Sequence, residues 1–245
     1  MQGLVTLDFG NSHPHAGIFN KVNNKWELIK NVPWNELSLF LNQLELNPQN
    51  TSLVLCEVKA REDELSPLLE QGYLLTRIKD YWRGQKFAGM PVNYSNTLGE
   101  DRLIQAWYTF KKEKNPTLLI DAGTYVTMDI IDQTGFNGGY IIPGQKNYYD
   151  SFSKGELLQN VILNTNISAS LPHDTQSAMQ DSYYSFVLLA KNLIEKNNIK
   201  KVILTGGNGQ IWSHLLADLE IEIILSNDYI HWSILHWMTT QIEPL

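Results

Sequence analysis

One short motif, Asp-x-Gly followed by Asn or Thr, occurs twice in this chain, about half the chain length apart. The first copy is Asp8-Phe9-Gly10-Asn11-Ser12 and the second is Asp121-Ala122-Gly123-Thr124-Tyr125. Each copy closes an apolar, strand-like run and leads into a segment typical of a β-hairpin. A single copy would be an ordinary glycine turn, whereas two copies in equivalent contexts indicate an internal repeat. The repeat predicts two similar α/β lobes.

The chemistry of such a turn suits a phosphate group. A tight glycine turn brings backbone N–H groups close to an anion, and small hydroxyl or amide side chains beside it add hydrogen bonds. Two such turns could grip a triphosphate from both sides. A third glycine turn, Thr205-Gly206-Gly207, follows a strand and precedes a helix. It is either a backbone approach to adenosine or a plain tight turn.

Hydrophobic periodicity divides the chain into an N-terminal lobe over 1–115 and a C-terminal lobe over 116–245. Each lobe is expected to hold a mixed sheet flanked by helices, and with the two Asp-x-Gly turns this arrangement resembles a duplicated ribonuclease H-like, actin-like ATPase fold. We predict strands at 4–7, 15–19, 26–29, 51–58, 117–120, 126–131, 139–142, 202–204 and 221–225. We predict helices at 34–46, 98–112, 182–196, 209–219 and 229–241.

Composition excludes several other classes of protein. The chain has 245 residues, of which 43% are hydrophobic and 18% charged, so a packed core is expected and disorder is not. Its net charge of -7 disfavours direct nucleic-acid binding. The single cysteine, Cys56, lies in an apolar run and indicates a reducing, cytoplasmic setting. No apolar stretch has the length needed to cross a membrane.

Five motifs in order resemble those of the type III pantothenate kinase family, within the actin, hexokinase and Hsp70 superfamily. The two Asp-x-Gly turns resemble its phosphate motifs, the second extending to Asp129. The other three are Leu98-Gly99-Glu100-Asp101-Arg102, Gly138-Gly139-Tyr140-Ile141-Ile142-Pro143-Gly144, and Leu171-Pro172 followed by Thr175-Gln176-Ser177-Ala178. Each motif is modest alone, but together they span nearly the whole chain.

The resemblance implies an ATP-dependent phosphorylation of pantothenate to 4′-phosphopantothenate, the first step of coenzyme A synthesis. It implies Asp101 as the general base and Asp121 as the ligand of a monovalent cation, potassium or ammonium, with Mg²⁺ on the nucleotide. It also implies a homodimer. The implied ATP contacts are Asp8, Phe9, Gly10, Asn11, Ser12, His13, Pro14, His15 and Thr124. The implied pantothenate contacts are Tyr94, Gly99, Glu100, Asp101, Arg102 and Thr175.

Elementary chemistry agrees with the roles of Asp101 and Arg102. A carboxylate in the first turn of a helix is kept ionised by the helix dipole and can accept the proton of an attacking hydroxyl. The neighbouring guanidinium can bind a substrate carboxylate with two parallel hydrogen bonds. Without the flanking motifs, the same two residues would be read as a surface pair at a helix start.

Two other functions stay open at the level of sequence. The chain could be a catalytically impaired relative that acts as a regulatory protein, like the Bvg accessory factors of the same family. It could also be a kinase for another small hydroxy acid. A metal site at His13 and His15 is disfavoured because two histidines do not complete a ligand set.

Overall fold

In the computed structural model, residues 3–153, 155 and 171–242 are described, and they form two compact units. The first unit comprises residues 1–112 and 228–245, and the second comprises residues 113–227. Each unit is built on a five-stranded mixed sheet.

The first unit begins with an antiparallel hairpin and continues into parallel strands. Its elements, in chain order, are β1 (Gly3–Phe9), β2 (His15–Val22), β3 (Lys25–Pro33), α1 (Leu37–Gln43), β4 (Thr51–Glu57), α2 (Glu62–Glu70), β5 (Leu74–Arg77), β6 (Lys86–Phe87), β7 (Met90–Pro91) and α3 (Glu100–Lys112).

The second unit repeats the same plan. Its elements are β8 (Thr117–Ala122), β9 (Tyr125–Asp132), β10 (Gly135–Pro143), α4 (Gln145–Asp150), α5 (Thr175–Tyr183), α6 (Ser185–Lys196), β11 (Lys201–Thr205), α7 (Gly209–Leu215) and β12 (Glu222–Leu225). The chain then returns to the first unit as α8 (Tyr229–Ile242).

The strand order is the same in both sheets. It is β3-β2-β1-β4-β5 in the first unit and β10-β9-β8-β11-β12 in the second. The first three strands of each unit pair antiparallel, and the other two add in parallel. The predicted duplicated α/β fold is therefore confirmed. In each unit the Asp-x-Gly motif starts on the central strand, β1 or β8.

Alternate side chains of β1 serve two different faces of the first sheet. Val5, Leu7 and Phe9 are buried in one cluster with Leu37 of α1 and Leu65 of α2. Thr6 and Asp8 point to the opposite face, since side chains alternate along a strand. That second face is covered by α3 and α8, which pack on each other and on the parallel pair β1 and β4.

The position of α8 differs from the sequence-based division at residue 115. Its aromatic side chains pack in the first unit, with Trp232 against Phe19 and Trp237 against Tyr81, at ring-centroid distances of 5.1 and 5.0 Å. The sequence placed this helix in the second lobe because it follows that lobe without a break. Packing of its apolar side chains, rather than chain order, decides which unit it joins.

Four elements of the first unit have no counterpart among the predicted ones: α2, β5 and the two-residue strands β6 and β7. The helix α2 contains Pro67, which weakens a helical pattern, and the edge strand β5 has only four residues, with Leu74 largely exposed. The predicted helix 34–46 starts as a 3-10 turn at Trp34–Glu36 before α1. The connection between the predicted strands 15–19 and 26–29 narrows to a turn at Asn23-Asn24, both with positive φ, as a tight hairpin requires.

Candidate active site

The first Asp-x-Gly turn begins at Asp8, between two neighbouring strands. In the sheet register Asp8 lies opposite His15 of β2 and opposite Cys56 of β4. One carboxylate oxygen, Oδ2, lies 3.2 Å from His15 Nε2. The other, Oδ1, is buried and accepts no hydrogen bond from any described residue. A carboxylate with one fixed and one uncommitted oxygen is suited to contact a ligand.

The rest of the first turn divides into a buried anchor and an exposed tip. The ring of Phe9 is fully buried and packs edge-on against Trp34, so only the backbone of this residue could contact a ligand. The backbone carbonyl of Phe9 accepts a hydrogen bond from the Val58 N–H, at 3.0 Å. Asn11, Ser12 and His13 are exposed. A Cβ added at Gly10 would meet only Asp8 Oδ1, in ordinary contact, so the backbone there is open to close approach.

Asp101 lies in the first turn of α3, as predicted. Its Oδ1 accepts a 2.8 Å hydrogen bond from the Arg102 N–H. A Cβ at Gly99 would collide with the same carboxylate oxygen, so the glycine leaves the room that this side-chain position needs. The side chain of Arg102 is almost buried, and its guanidinium lies over the ring of Tyr94, 5.1 Å from the centroid. Tyr94, Gly99, Asp101 and Arg102, four residues predicted to bind one substrate, are therefore neighbours.

Asp8 and Asp101 belong to one cluster of carboxylates around the end of β4. Burial raises the pKa of the Cys56 thiol well above its usual value, and the negative charges of Asp8, Asp101, Glu100 and Glu57 raise it further. The thiol is therefore an uncharged core group. In the sheet register Phe9 lies opposite Glu57, whose N–H donates to Glu100, so the first Asp-x-Gly turn and the start of α3 lie at the same end of β4.

Glu57 and Glu100 are members of this cluster that the sequence did not single out as a pair. Glu57 is buried, and its Oε2 forms ion pairs with Arg77 Nη1 at 2.9 Å and with Lys79 Nζ at 3.0 Å. The Glu57 N–H donates to Glu100 Oε2, at 3.2 Å. Burial raises the pKa of Glu100 to about 7, against the lowering effect of that hydrogen bond and of Lys79. Glu100 thus changes charge near neutral pH beside the predicted base.

The raised pKa of Glu100 predicts a pH-dependent stability. Between pH 4.5, the ordinary pKa of a glutamate, and about pH 7, Glu100 keeps its proton in the folded chain and loses it in the unfolded chain. The contribution of protonated Glu100 to the free energy of unfolding is thus complete at low pH, and it is lost as the pH rises through about 7. Glu100→Gln keeps an oxygen for the Glu57 N–H without the charge, and should raise the unfolding free energy at pH 8 by about 2 kcal/mol.

Chemical denaturation at pH 4.5 and pH 8 measures this difference, with the exposed Glu70→Gln as control. The Gln variant should gain nothing at pH 4.5. An equal effect at both pH values would show that Glu100 does not ionise across this range.

The second Asp-x-Gly turn reproduces the first on the second sheet. Asp121 lies on β8 opposite Thr127 of β9 and Thr205 of β11, the positions that match His15 and Cys56. The backbone carbonyl of Thr124 is fixed by the Gly144 N–H, at 3.0 Å, and by Asn147 Nδ2, at 2.8 Å. Thr127 Oγ1 is buried and has no hydrogen-bond partner among the described residues. The adjacent Tyr125 is half exposed.

The third glycine turn packs directly on the second. Gly206 has a φ of +79°, and a Cβ there would lie 2.5 Å from Asp121 Oδ1 and 2.8 Å from the backbone of Ala122. A Cβ at its neighbour Gly207 would meet nothing within 4 Å. The Ala122 carbonyl accepts the Asn208 N–H, at 2.9 Å. Gly206 is thus required by packing, whereas Gly207 presents open backbone.

These groups fit the cofactors that the resemblance implies. The backbone at Gly10 and Gly207 is open enough for a phosphate group or an adenosine to approach. Asp8 Oδ1 and Thr127 Oγ1, which have no hydrogen-bond partner among the described residues, are oxygens of the kind that bind hard cations or form hydrogen bonds with phosphate. No group of three or more metal-binding side chains is present in residues 3–153, 155 and 171–242.

Thr175 and Asp129 lie in the second unit. Thr175 is the exposed first residue of α5, whose N-cap Asp174 accepts the Ser177 N–H at 2.8 Å. Asp129 is fully buried on β9, opposite Gly139 of β10.

Within the described part of the chain, no helix has the length and apolar character that crossing a bilayer requires.

Known proteins resemble this chain in sequence and in fold. A type III pantothenate kinase from Persephonella marina is 33% identical over 143 residues, covering 54% of each chain, and one from Campylobacter hominis is 31% identical over 126 residues. The chain thus spans about half the length of these two curated relatives. One from Desulfosudis oleivorans is 26% identical over 238 residues, covering 89% of this chain and 92% of that protein.

Solved structures support the fold alone. A Campylobacter jejuni protein described as a Baf family transcriptional activator aligns with a TM-score of 0.62 at 21% identity, covering 97% of this chain and 98% of that one. A Sinorhizobium meliloti protein described as a 2-dehydro-3-deoxygalactonokinase aligns with a TM-score of 0.59 at 12% identity, covering 99% of this chain and 100% of that one. The family model for type III pantothenate kinase matches residues 4–196. The chain belongs to the type III pantothenate kinase family.

Proposed function

We propose that this chain transfers the γ-phosphoryl group of ATP to the primary hydroxyl of pantothenate, giving ADP and 4′-phosphopantothenate. The observation that carries the proposal is the start of α3. There Asp101, Arg102 and Tyr94 lie together, close to Asp8 at the end of the central strand β1. Family membership supports the kinase class and the nucleotide.

In this proposal Asp101 accepts the proton of the pantothenate hydroxyl as its oxygen attacks the γ-phosphorus. The Arg102 N–H and the space at Gly99 hold the carboxylate in one orientation. Phosphoryl transfer passes through a loose transition state, so positioning and charge neutralisation outweigh the strength of the base. Mg²⁺ bound to the nucleotide would neutralise charge at the phosphates.

We assign the nucleotide contacts to the two Asp-x-Gly turns. The first turn, residues 8–15, offers open backbone at Gly10 and the uncommitted oxygen of Asp8. We assign Thr124 as the contact from the second turn, and Asp121, with the buried hydroxyl of Thr127 opposite it, as the potassium or ammonium site. A homodimer and a cytoplasmic location complete the proposal.

Substrate recognition gives the proposal a specific test at Arg102. A guanidinium binds a carboxylate with two parallel hydrogen bonds, which an ammonium cannot match. Arg102→Lys should therefore raise the KM for pantothenate about tenfold to a hundredfold, as expected when a charged hydrogen bond worth about 1.5–3 kcal/mol is lost. The KM for ATP should stay unchanged. Initial rates of ADP release at varied pantothenate measure the effect.

The control for this test is an acceptor without the carboxylate, pantothenyl alcohol. The wild-type chain should prefer pantothenate, and Arg102→Lys should lose most of that preference. Equal use of both acceptors by the wild type would contradict the assignment of Arg102. Faster ADP release with another hydroxy acid would keep the kinase and change its acceptor. Ligand binding without turnover would favour a regulatory relative.

A further inference from the structure

The sheet register brings a buried chain of polar side chains next to the first phosphate turn. Thr6 and Asp8 lie on one face of β1, and their partners on β2 are Gly17 and His15. All four positions therefore face α8. From α8, the fully buried His231 inserts its ring into this face.

Continuous short contacts join these residues into what we call the histidine relay, defined as Thr6, His231, His15 and Asp8. Thr6 Oγ1 lies 2.7 Å from His231 Nδ1. His231 Nε2 lies 2.8 Å from His15 Nδ1. His15 Nε2 then lies 3.2 Å from Asp8 Oδ2. Every ring nitrogen of the relay thus faces a polar partner.

Counting hydrogens along the relay leaves two arrangements. If Thr6 donates to the Gly17 carbonyl, at 3.2 Å, it accepts from His231 Nδ1, and His15 must donate from Nδ1. If Thr6 instead donates to His231 Nδ1, then His231 donates from Nε2 to His15 Nδ1. In both arrangements a neutral His231 leaves a hydrogen between His15 Nε2 and the Asp8 carboxylate, because two bare lone pairs would repel there.

The imidazole of His231 occupies a site built for it. A Cβ at Gly17 would lie 2.6 Å from His231 Cγ and 2.7 Å from Thr6 Oγ1, so a side chain at this position of β2 would expel the ring. Burial lowers the pKa of His231 well below its usual value, and the charge of His15 lowers it further. His231 is therefore neutral at physiological pH, as the relay requires.

We propose that His231 is a positioning residue, which acts through His15 to hold the Asp8 carboxylate in one orientation at the first phosphate turn. With Oδ2 fixed by the relay, Oδ1 is the oxygen left for a ligand. The effect on nucleotide rests on the proposed function, since it takes Asp8 as an ATP contact. The orientation of Asp8 does not depend on it.

Two substitutions at His231 separate positioning from simple packing. His231→Phe keeps a ring but removes both nitrogens, whereas His231→Gln places an amide oxygen where Nε2 lies and can still accept from His15. Ser233→Ala is the matched control, because Ser233 is equally buried on α8 and donates only to its own helix, at the Tyr229 carbonyl. Gly17→Ala should reproduce His231→Phe.

Calorimetry with Mg-ATP and ¹⁵N imidazole spectra of His15 are the readouts. His231→Phe should weaken ATP binding about tenfold, the loss expected for a hydrogen bond to a charged group. Pantothenate affinity should stay unchanged, and the His15 Nε2 signal should shift. His231→Gln should restore most of both properties.

The positioning role is overturned if His231→Phe leaves the His15 signal in place, or if Ser233→Ala causes the same loss of ATP affinity. Should the wild type bind no ATP at all, the proposed function fails. The His15 signal alone then decides the inference: a shift in His231→Phe that His231→Gln reverses supports it, and no shift refutes it.

Discussion

Asp101→Asn is expected to lower kcat for pantothenate phosphorylation by about 10²–10⁴-fold, the usual contribution of a positioned general base. The amide keeps the shape of the side chain, and its oxygen can still accept the Arg102 N–H. It cannot take up the hydroxyl proton. Affinities for ATP and pantothenate should change little, because the binding contacts remain. Initial rates of ADP release, with calorimetry of both ligands, measure these quantities.

The matched control is Asp63→Asn, which also alters an aspartate in the first turn of a helix, α2, at an exposed position. It should leave kcat unchanged. If Asp101→Asn keeps about a tenth or more of the wild-type kcat, the contribution is smaller than a general base provides. Asp101 would then be a substrate contact, and the proton would leave by another route.

The adjacent glycines Gly206 and Gly207 are expected to respond to alanine in opposite ways. Gly206→Ala forces a Cβ into a left-handed backbone and against Asp121 and Ala122. It should lower the unfolding free energy by about 2–4 kcal/mol. Gly207→Ala meets no atom within 4 Å and should change stability by no more than about 0.5 kcal/mol. If adenosine passes this turn, Gly207→Ala weakens ATP binding all the same.

Chemical denaturation and ATP calorimetry on both variants separate packing from ligand contact. Equal stability of Gly206→Ala and the wild type would mean that β8 and the third turn are less tightly packed than the structure shows. Unchanged ATP affinity in Gly207→Ala would leave this turn as a tight turn without a nucleotide role.

Most of what could be predicted about the fold followed from the repeated Asp-x-Gly motif. Asp8 and Asp121 each lie on a central strand, and the matching hairpins and parallel strands follow in the same order. This worked because glycine turns and strand periodicity are local signals. The edge strand β5 was missed because four half-exposed residues have no clear alternation, and α2 because Pro67 interrupts its pattern.

The candidate site could be predicted where a motif is contiguous, as from Leu98 to Arg102. The relay could not, because His231 and His15 lie 216 residues apart in the chain and meet only through the packing of α8 on the first sheet. Glu57 was missed for a similar reason. It ends an apolar strand, and its ion-pair partners, Arg77 and Lys79, lie on a later segment of the chain.

Direct detection of the product tests whether this chain phosphorylates pantothenate. The purified chain is incubated with pantothenate, Mg-ATP and potassium, and the reaction is followed by mass spectrometry beside Asp101→Asn and an authentic kinase. We expect 4′-phosphopantothenate and an equal amount of ADP from the wild type, with little from the variant. ADP without phosphopantothenate, or no turnover where the authentic kinase works, would contradict it.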